Sequence, residues 1–158
     1  MTMNECGLMD ALQKRTDITL LDRSKPCSPE EVKEIYHKAL SCDYYFMSTN
    51  AITLDGQLVN TDGTGNRVAA LIYGPENVII IAGMNKVAAS LEEAESRVKN
   101  IASPPNAIRL DRKPPCALTG SCHDCFAEGC ICSHTVITRR SAIKGRIKLI
   151  LVGEELGY

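Results

Sequence analysis

Asn77-Val78-Ile79-Ile80-Ile81-Ala82 is the stretch that decides the fold. No interior position is polar, so a strand built from it has no face to offer to water. That is the pattern of a central strand in a parallel sheet covered on both sides. On its upstream side Arg67-Val-Ala-Ala-Leu-Ile72 predicts a helix, and on its downstream side Val87, Leu91, Ala94, Val98 and Ile101 recur at helical spacing. Pro104-Pro105 is the predicted stop of that second helix. Further out, Tyr44 to Asn50 and Ile147 to Val152 read as two more strands. Helices alternating with strands predict an α/β domain with a mostly parallel sheet flanked by helices.

The N-terminal third follows the same rhythm. Thr2-Met-Asn-Glu5 reads as a capping box opening a helix with Met3, Leu8, Met9 and Leu12 on its apolar side. Ile18 to Leu21 predicts a short strand. Ser28-Pro29-Glu30-Glu31 is a second capping box with proline at the first helical position. Val32, Ile35, Tyr36, Ala39 and Leu40 then form one buried face. Asp55-Gly56 is a turn signal, and Gln57 to Asn60 continues from it.

A chain of 158 residues fits one domain spanning 1–158, enough to bury about 70% of its unfolded surface. Eighteen lysines and arginines face 19 acids, a balance that leaves no basic footprint for nucleic acid. Tryptophan is absent and phenylalanine occurs only at 46 and 126, which removes the stacking platforms single strands need. No stretch approaches the ~20 apolar residues of a membrane span. The N-terminus has neither basic head nor apolar core, so a cytoplasmic chain with reduced thiols is expected.

Against that expectation, five of eight cysteines crowd into Cys116-Ala-Leu-Thr-Gly-Ser-Cys122-His-Asp-Cys125-Phe-Ala-Glu-Gly-Cys130-Ile-Cys132. Cys122-x-x-Cys125 is the spacing by which one backbone turn presents two thiolates to one ion. His123 and His134 are further candidate ligands. A metal centre and a set of reduced or redox-active thiols both explain such density. The segment 104–134 reads as a cysteine-rich insertion before the last strand. Cys6, Cys27 and Cys42 stand singly and read as incidental thiols.

The second feature is Thr61-Asp62-Gly63-Thr64-Gly65-Asn66, set between a predicted strand and a predicted helix. Glycines let backbone N–H groups turn toward a ligand, and a helix N-terminus favours negative charge. The loop matches neither a phosphate-loop sequence nor a dinucleotide fingerprint. It is a candidate anion site, with Asp62 its one functional acid; a tight turn that needs glycine for geometry alone is the competing reading. Ser48, His37, His123 and His134 show no spacing that would make a hydrolytic triad.

Taken together, Gly7-Leu-Met-Asp-Ala-Leu12, Tyr45-Phe-Met-Ser-Thr-Asn-Ala-Ile52, Asn60-Thr-Asp-Gly-Thr-Gly-Asn-Arg-Val-Ala-Ala70, the cysteine run, and Gly145-Arg146 before Leu151-Val-Gly-Glu-Glu-Leu-Gly157 resemble the lactate-utilisation (LUD) domain family of the small, single-domain type. The resemblance implies the fold of ribose-phosphate isomerases and CoA-transferases. It also implies a cytoplasmic bacterial protein connected with oxidising L-lactate to pyruvate, with an iron–sulfur oxidoreductase subunit as partner. It maps the family's cysteine pattern onto Cys116, Cys122, Cys125 and Cys132, to hold an iron–sulfur cluster or zinc, and leaves Cys130 over.

Met47 to Thr64 is similar to a strand–turn–strand–loop of sugar-phosphate isomerases, which implies a small anionic ligand near Asn50, Asn60, Asp62, Gly63, Thr64, Gly65 and Asn66. Those isomerases have aspartate in place of Asn50 and lysine in place of Thr61. An amide does not titrate, so isomerase chemistry is not expected at Asn50. Family members carry about one more strand–helix unit before the first helix here, so a chain short at its N-terminus and an exposed sheet edge that favours a homo-oligomer are expected. The alternatives are a zinc-stapled interaction module and an acyl-, CoA- or sugar-phosphate-binding protein. Glu154 and Glu155 are the glutamates to test for acyl transfer.

Overall fold

The computed structural model describes residues 1–25 and 27–158. Asn77–Gly83 forms a strand (β4) between Tyr44–Met47 (β1) and Ile147–Val152 (β7), all parallel, in the order β1-β4-β7. Val78, Ile80 and Ala82 of β4 are fully buried, as its uninterrupted apolar run requires. A second, mixed sheet has the order β5-β2-β3-β6, formed by Val87–Ala88 (β5), Ala51–Thr53 (β2), Leu58–Asp62 (β3) and His134–Thr138 (β6). Among the described residues no helix is long and apolar enough to cross a membrane.

The β2–β3 hairpin turns at Gly56, whose φ of +87° only glycine adopts without strain. Its register pairs Ala51 with Val59 and Ile52 with Leu58, and side chains alternate across a strand. One pair therefore joins a core of Ala51, Val59, Ala88, Ala94 and Val98. The other joins Met47, Leu71, Val78 and Ile80. The hairpin thus bridges two cores from its opposite faces.

Helix Asn66–Ile72 (α4) is tied to the first sheet by Arg146. The Arg146 guanidinium, buried, donates to the carbonyls of Ala70 (2.8 Å), Leu71 (2.6 Å) and Pro75 (2.9 Å). These are carbonyls at and just beyond a helix C-terminus, where a cation satisfies groups the helix leaves open.

Ser28 caps Pro29–Ala39 (α3) through the reciprocal bonds expected of its sequence, Glu31 N to Ser28 Oγ at 3.2 Å and Ser28 N to Glu31 Oε2 at 2.7 Å. Four other expectations need correction. Thr2 caps nothing: it lies buried inside the one-turn helix Thr2–Glu5 (α1), and Gly7 at φ +74° separates that turn from Leu8–Gln13 (α2). Ile18 to Leu21 pairs with no strand.

Pro104-Pro105 does not stop its helix. Leu91–Arg97 (α5) passes through a π turn at Val98–Ala102, and the two prolines fall in the first turn of Ser103–Arg109 (α6). The wider turn shifts the hydrogen-bond ladder, so the missing proline N–H groups fall where a first turn needs none. Finally, the cysteine-rich segment opens with a short helix at Pro115–Thr119 (α7) and runs into β6, a strand missing from the sequence reading.

Candidate functional site

One group of side chains gathers at the C-terminal ends of β1 and β4, where open α/β sheets place their ligands, and a second lies over the glycine loop after β3. The first centres on Lys86, just beyond β4. Its Nζ donates to Ser48 Oγ at 3.0 Å, beyond the end of β1, and to Thr2 Oγ1 at 3.2 Å. Only 4% of Lys86 is exposed. Burial, reinforced by the charges of Arg97 and Arg67 and opposed by Glu5, pushes its ammonium down to about 8.

Asn50 links the two arginines. Its side-chain oxygen accepts from Arg67 Nη2 at 2.8 Å and from Thr61 N at 3.0 Å, and its main-chain carbonyl accepts from Arg97 Nη1 at 2.7 Å. Arg67 also donates to Ser48 O (3.1 Å), Asn60 Oδ1 (2.7 Å) and Thr61 O (2.8 Å). Asn60 is fully buried, and its Nδ2 is the one buried side-chain donor left without a partner among the described residues.

The glycine loop is partly occupied by its own acid. Asp62 Oδ1 accepts from Gly63 N at 3.1 Å, and Oδ2 accepts from Arg67 N at 2.9 Å and Val68 N at 3.3 Å. Three N–H groups that an anion would need are therefore held internally, and Asp62 acts as the cap of α4. Gly65 supplies the positive φ (+84°) that starts α4, with the His134 ring packed against its Cα.

The second group is the cysteine segment, which covers this loop from outside. A side chain on Gly63 would meet the Ile131 backbone at 3.5 Å. The segment is anchored on the π turn and the residue after it: Lys99 pairs with Asp124 (2.7 Å), Cys122 N donates to Asn100 Oδ1 (3.2 Å), and Cys132 Sγ donates to Ser103 Oγ (3.4 Å). Two thiols accept backbone bonds from residues two further on, Cys122 Sγ from Asp124 N (3.4 Å) and Cys130 Sγ from Cys132 N (3.3 Å). Burial raises the Cys116 thiol, and the charges of Cys125, Cys122 and Cys130 raise it further. Burial likewise raises Cys132, with Cys130, Cys116 and Cys122 adding to it and the Ser103 bond opposing.

Cys116 and Cys132 therefore each feel the charges of Cys122 and Cys130. Among the described residues, no three His, Cys, Asp or Glu side chains lie where they could hold one metal ion together, so Cys116, Cys122, Cys125 and Cys132 are not gathered into a common site here. The donor set suits a thiophilic metal, and its N–H···S bonds are those that support metal thiolates. His123 bonds Thr119 Oγ1 at 2.7 Å. Glu154 and Glu155 are exposed beyond β7, and neither is among the partners of Lys86, Arg67 or Arg97.

The sequence reading missed Lys86, Arg67 and Arg97. Position was the available signal: Lys86 follows the central strand directly and Arg67 follows the glycine loop.

This is an α/β domain with a cation-rich site at its parallel strand ends and a thiol-rich flap over the adjoining loop. The chain belongs to the LUD-domain family, whose model matches residues 1–152, and so is a lactate-utilisation-related protein. No curated protein and no solved structure matches it.

Proposed function

We propose that this chain is a subunit or accessory of a system oxidising L-lactate to pyruvate, in which Cys116, Cys122, Cys125 and Cys132 hold an iron–sulfur cluster. The observation that carries the reading is the placement of the thiol segment. It covers the glycine loop through Ile131 and His134, and it hangs from the residues that follow Arg97 through Asn100 and Ser103. A redox centre held by this segment would stand over the glycine loop that leads into Arg67.

When bound, a cluster supplies one-electron transfer. The chain's own residues hold the thiolates in place, through the N–H···S bond at Cys122 and the Lys99–Asp124 pair. The backbone bond at Cys130 keeps that thiol in competition with Cys132 for the fourth position. The physiological electron acceptor on this reading is an iron–sulfur oxidoreductase subunit.

The test is pyruvate formation from L-lactate by the anaerobically purified chain combined with that oxidoreductase subunit. Turnover that needs this chain and disappears in Cys122→Ser is expected. Full turnover without the chain would refute the assignment. A closed zinc staple is the competing use of the same thiols, and it predicts loss of folding in Cys122→Ser with no redox signal.

A further inference from the structure

Four cations stand inside this domain with no carboxylate bonded to their charged groups, and one of them, Arg146, is satisfied by the carbonyls at and just beyond the C-terminal end of α4. Lys86 is 4% exposed and Arg97 7% exposed, and Arg67 is part-buried with its guanidinium spent on four oxygens. Every hydrogen-bond acceptor that these three side chains use is a carbonyl, amide or hydroxyl oxygen. The ion pairs found among the described residues, Arg15–Asp17, Lys38–Glu34 and Lys99–Asp124, all lie at the surface. Asp62 bonds the main-chain N of Arg67 at 2.9 Å and acts on its guanidinium as a charge, and Glu5 acts on Lys86 as a charge with no hydrogen bond between them. Buried charge is ordinarily paired, because an unpaired ion forfeits its hydration for nothing. Beside this excess of positive charge lies the buried Nδ2 of Asn60, a donor with no acceptor.

We propose that Lys86, with the hydroxyls of Ser48 and Thr2, binds the carboxylate of a small 2-hydroxy acid, which supplies the missing negative charge. The choice of a hydroxy acid rests on the lactate reading above; the need for an anion does not. An ammonium has three donors, and Lys86 spends two of them on hydroxyls whose own protons go to Leu156 O (3.4 Å, from Thr2) and Thr49 O (3.4 Å, from Ser48) and would turn from those carbonyls toward a ligand. The main chain of Gly157 forms the outer wall: a side chain there would lie 2.7 Å from Thr2 Oγ1 and 3.3 Å from Lys86 Nζ. The C-terminal tail is held in that place by Glu5, which accepts from Gly157 N at 2.6 Å, and by Asn85, whose Nδ2 donates to Gly157 O at 3.0 Å. Ligand entry requires those two bonds to open.

The experiment is calorimetric titration and thermal melting of the full chain with L-lactate and, separately, inorganic phosphate, at constant ionic strength. L-Lactate at hundredfold excess over its Kd is expected to raise Tm by roughly 5 °C, and Lys86→Met is expected to weaken binding at least tenfold. Asn50→Asp keeps the shape and both accepted bonds of Asn50 while setting a carboxylate against Arg67. It is expected to weaken lactate in the same way, and it decides the matter if Lys86→Met does not fold. Undiminished lactate binding in the folded variants, no lactate binding at all, or tighter binding of phosphate would each overturn the proposal. Metal content measured on the same samples separates this result from the fate of the cluster, because neither substitution touches a cysteine.

Discussion

Lys86 Nζ lies 3.0 Å from Ser48 Oγ, and the second hydrogen-bond partner of that buried ammonium is also a hydroxyl. The arrangement costs the folded state, because a hydroxyl dipole returns less than the hydration an ammonium gives up. Groups that cost stability yet sit at the ends of parallel strands are what binding sites are made of.

The pH dependence of stability follows from that cost. The folded-state value of Lys86 is about 8, below its ordinary 10.5, so the burial penalty is present in full below pH 8. As pH rises from 8 toward 10.5 the folded chain gives up the proton first, and stability rises. Its size is on the order of 2 to 3 kcal/mol. Arg97 and Arg67 face Lys86 and stay charged across this window, and Glu5 is the acid whose charge opposes them. Urea unfolding at pH 7.5 and 9.5 should show a larger gain in the wild type than in Lys86→Met. Equal gains would rule out Lys86 as the source.

Arg146 is expected to be among the costliest single positions in the chain. Arg146→Met keeps most of the apolar stem but strips donors from the carbonyls of Ala70, Leu71 and Pro75. Leaving buried carbonyls unpaired should cost about 3 to 5 kcal/mol. Chemical denaturation reads this directly, and a loss under 1 kcal/mol would show that water replaces the guanidinium.

Asp62 caps α4 from within the glycine loop. Asp62→Ala should lower stability by about 1 to 2 kcal/mol, the usual value of a helix cap. Asp62→Asn, which retains an acceptor oxygen, should recover at least half of it. Hydrogen exchange at the Arg67 and Val68 amides, both bonded to Asp62, should speed up in the alanine variant alone. Unchanged exchange there would contradict the cap.

What could be read from residue order was the local chemistry. β4 declares itself because it has no polar side, and α3 because Ser28 and Glu31 lie three residues apart and cap each other. Gly56 marks its turn by a backbone angle that other residues avoid.

Long-range pairings were hidden. Thr2 resembles a cap in its neighbourhood, but its hydroxyl serves Lys86, 84 residues away. Pro104 and Pro105 read as a stop because the π turn ahead of them leaves no trace in residue order. β6 exists because β3 offers it an antiparallel partner, with Val59 opposite Ile137 and Thr61 opposite Thr135. The cation site is invisible for the same reason: Arg67 and Arg97, 30 positions apart, meet only through Asn50.

Iron and acid-labile sulfide content of the anaerobically isolated chain tests the cluster assignment most directly. Brown protein with iron and sulfide in equal amounts, both lost together in Cys122→Ser and Cys125→Ser, is the result expected. Colourless protein carrying one zinc per chain, or folded protein carrying no metal, would contradict it.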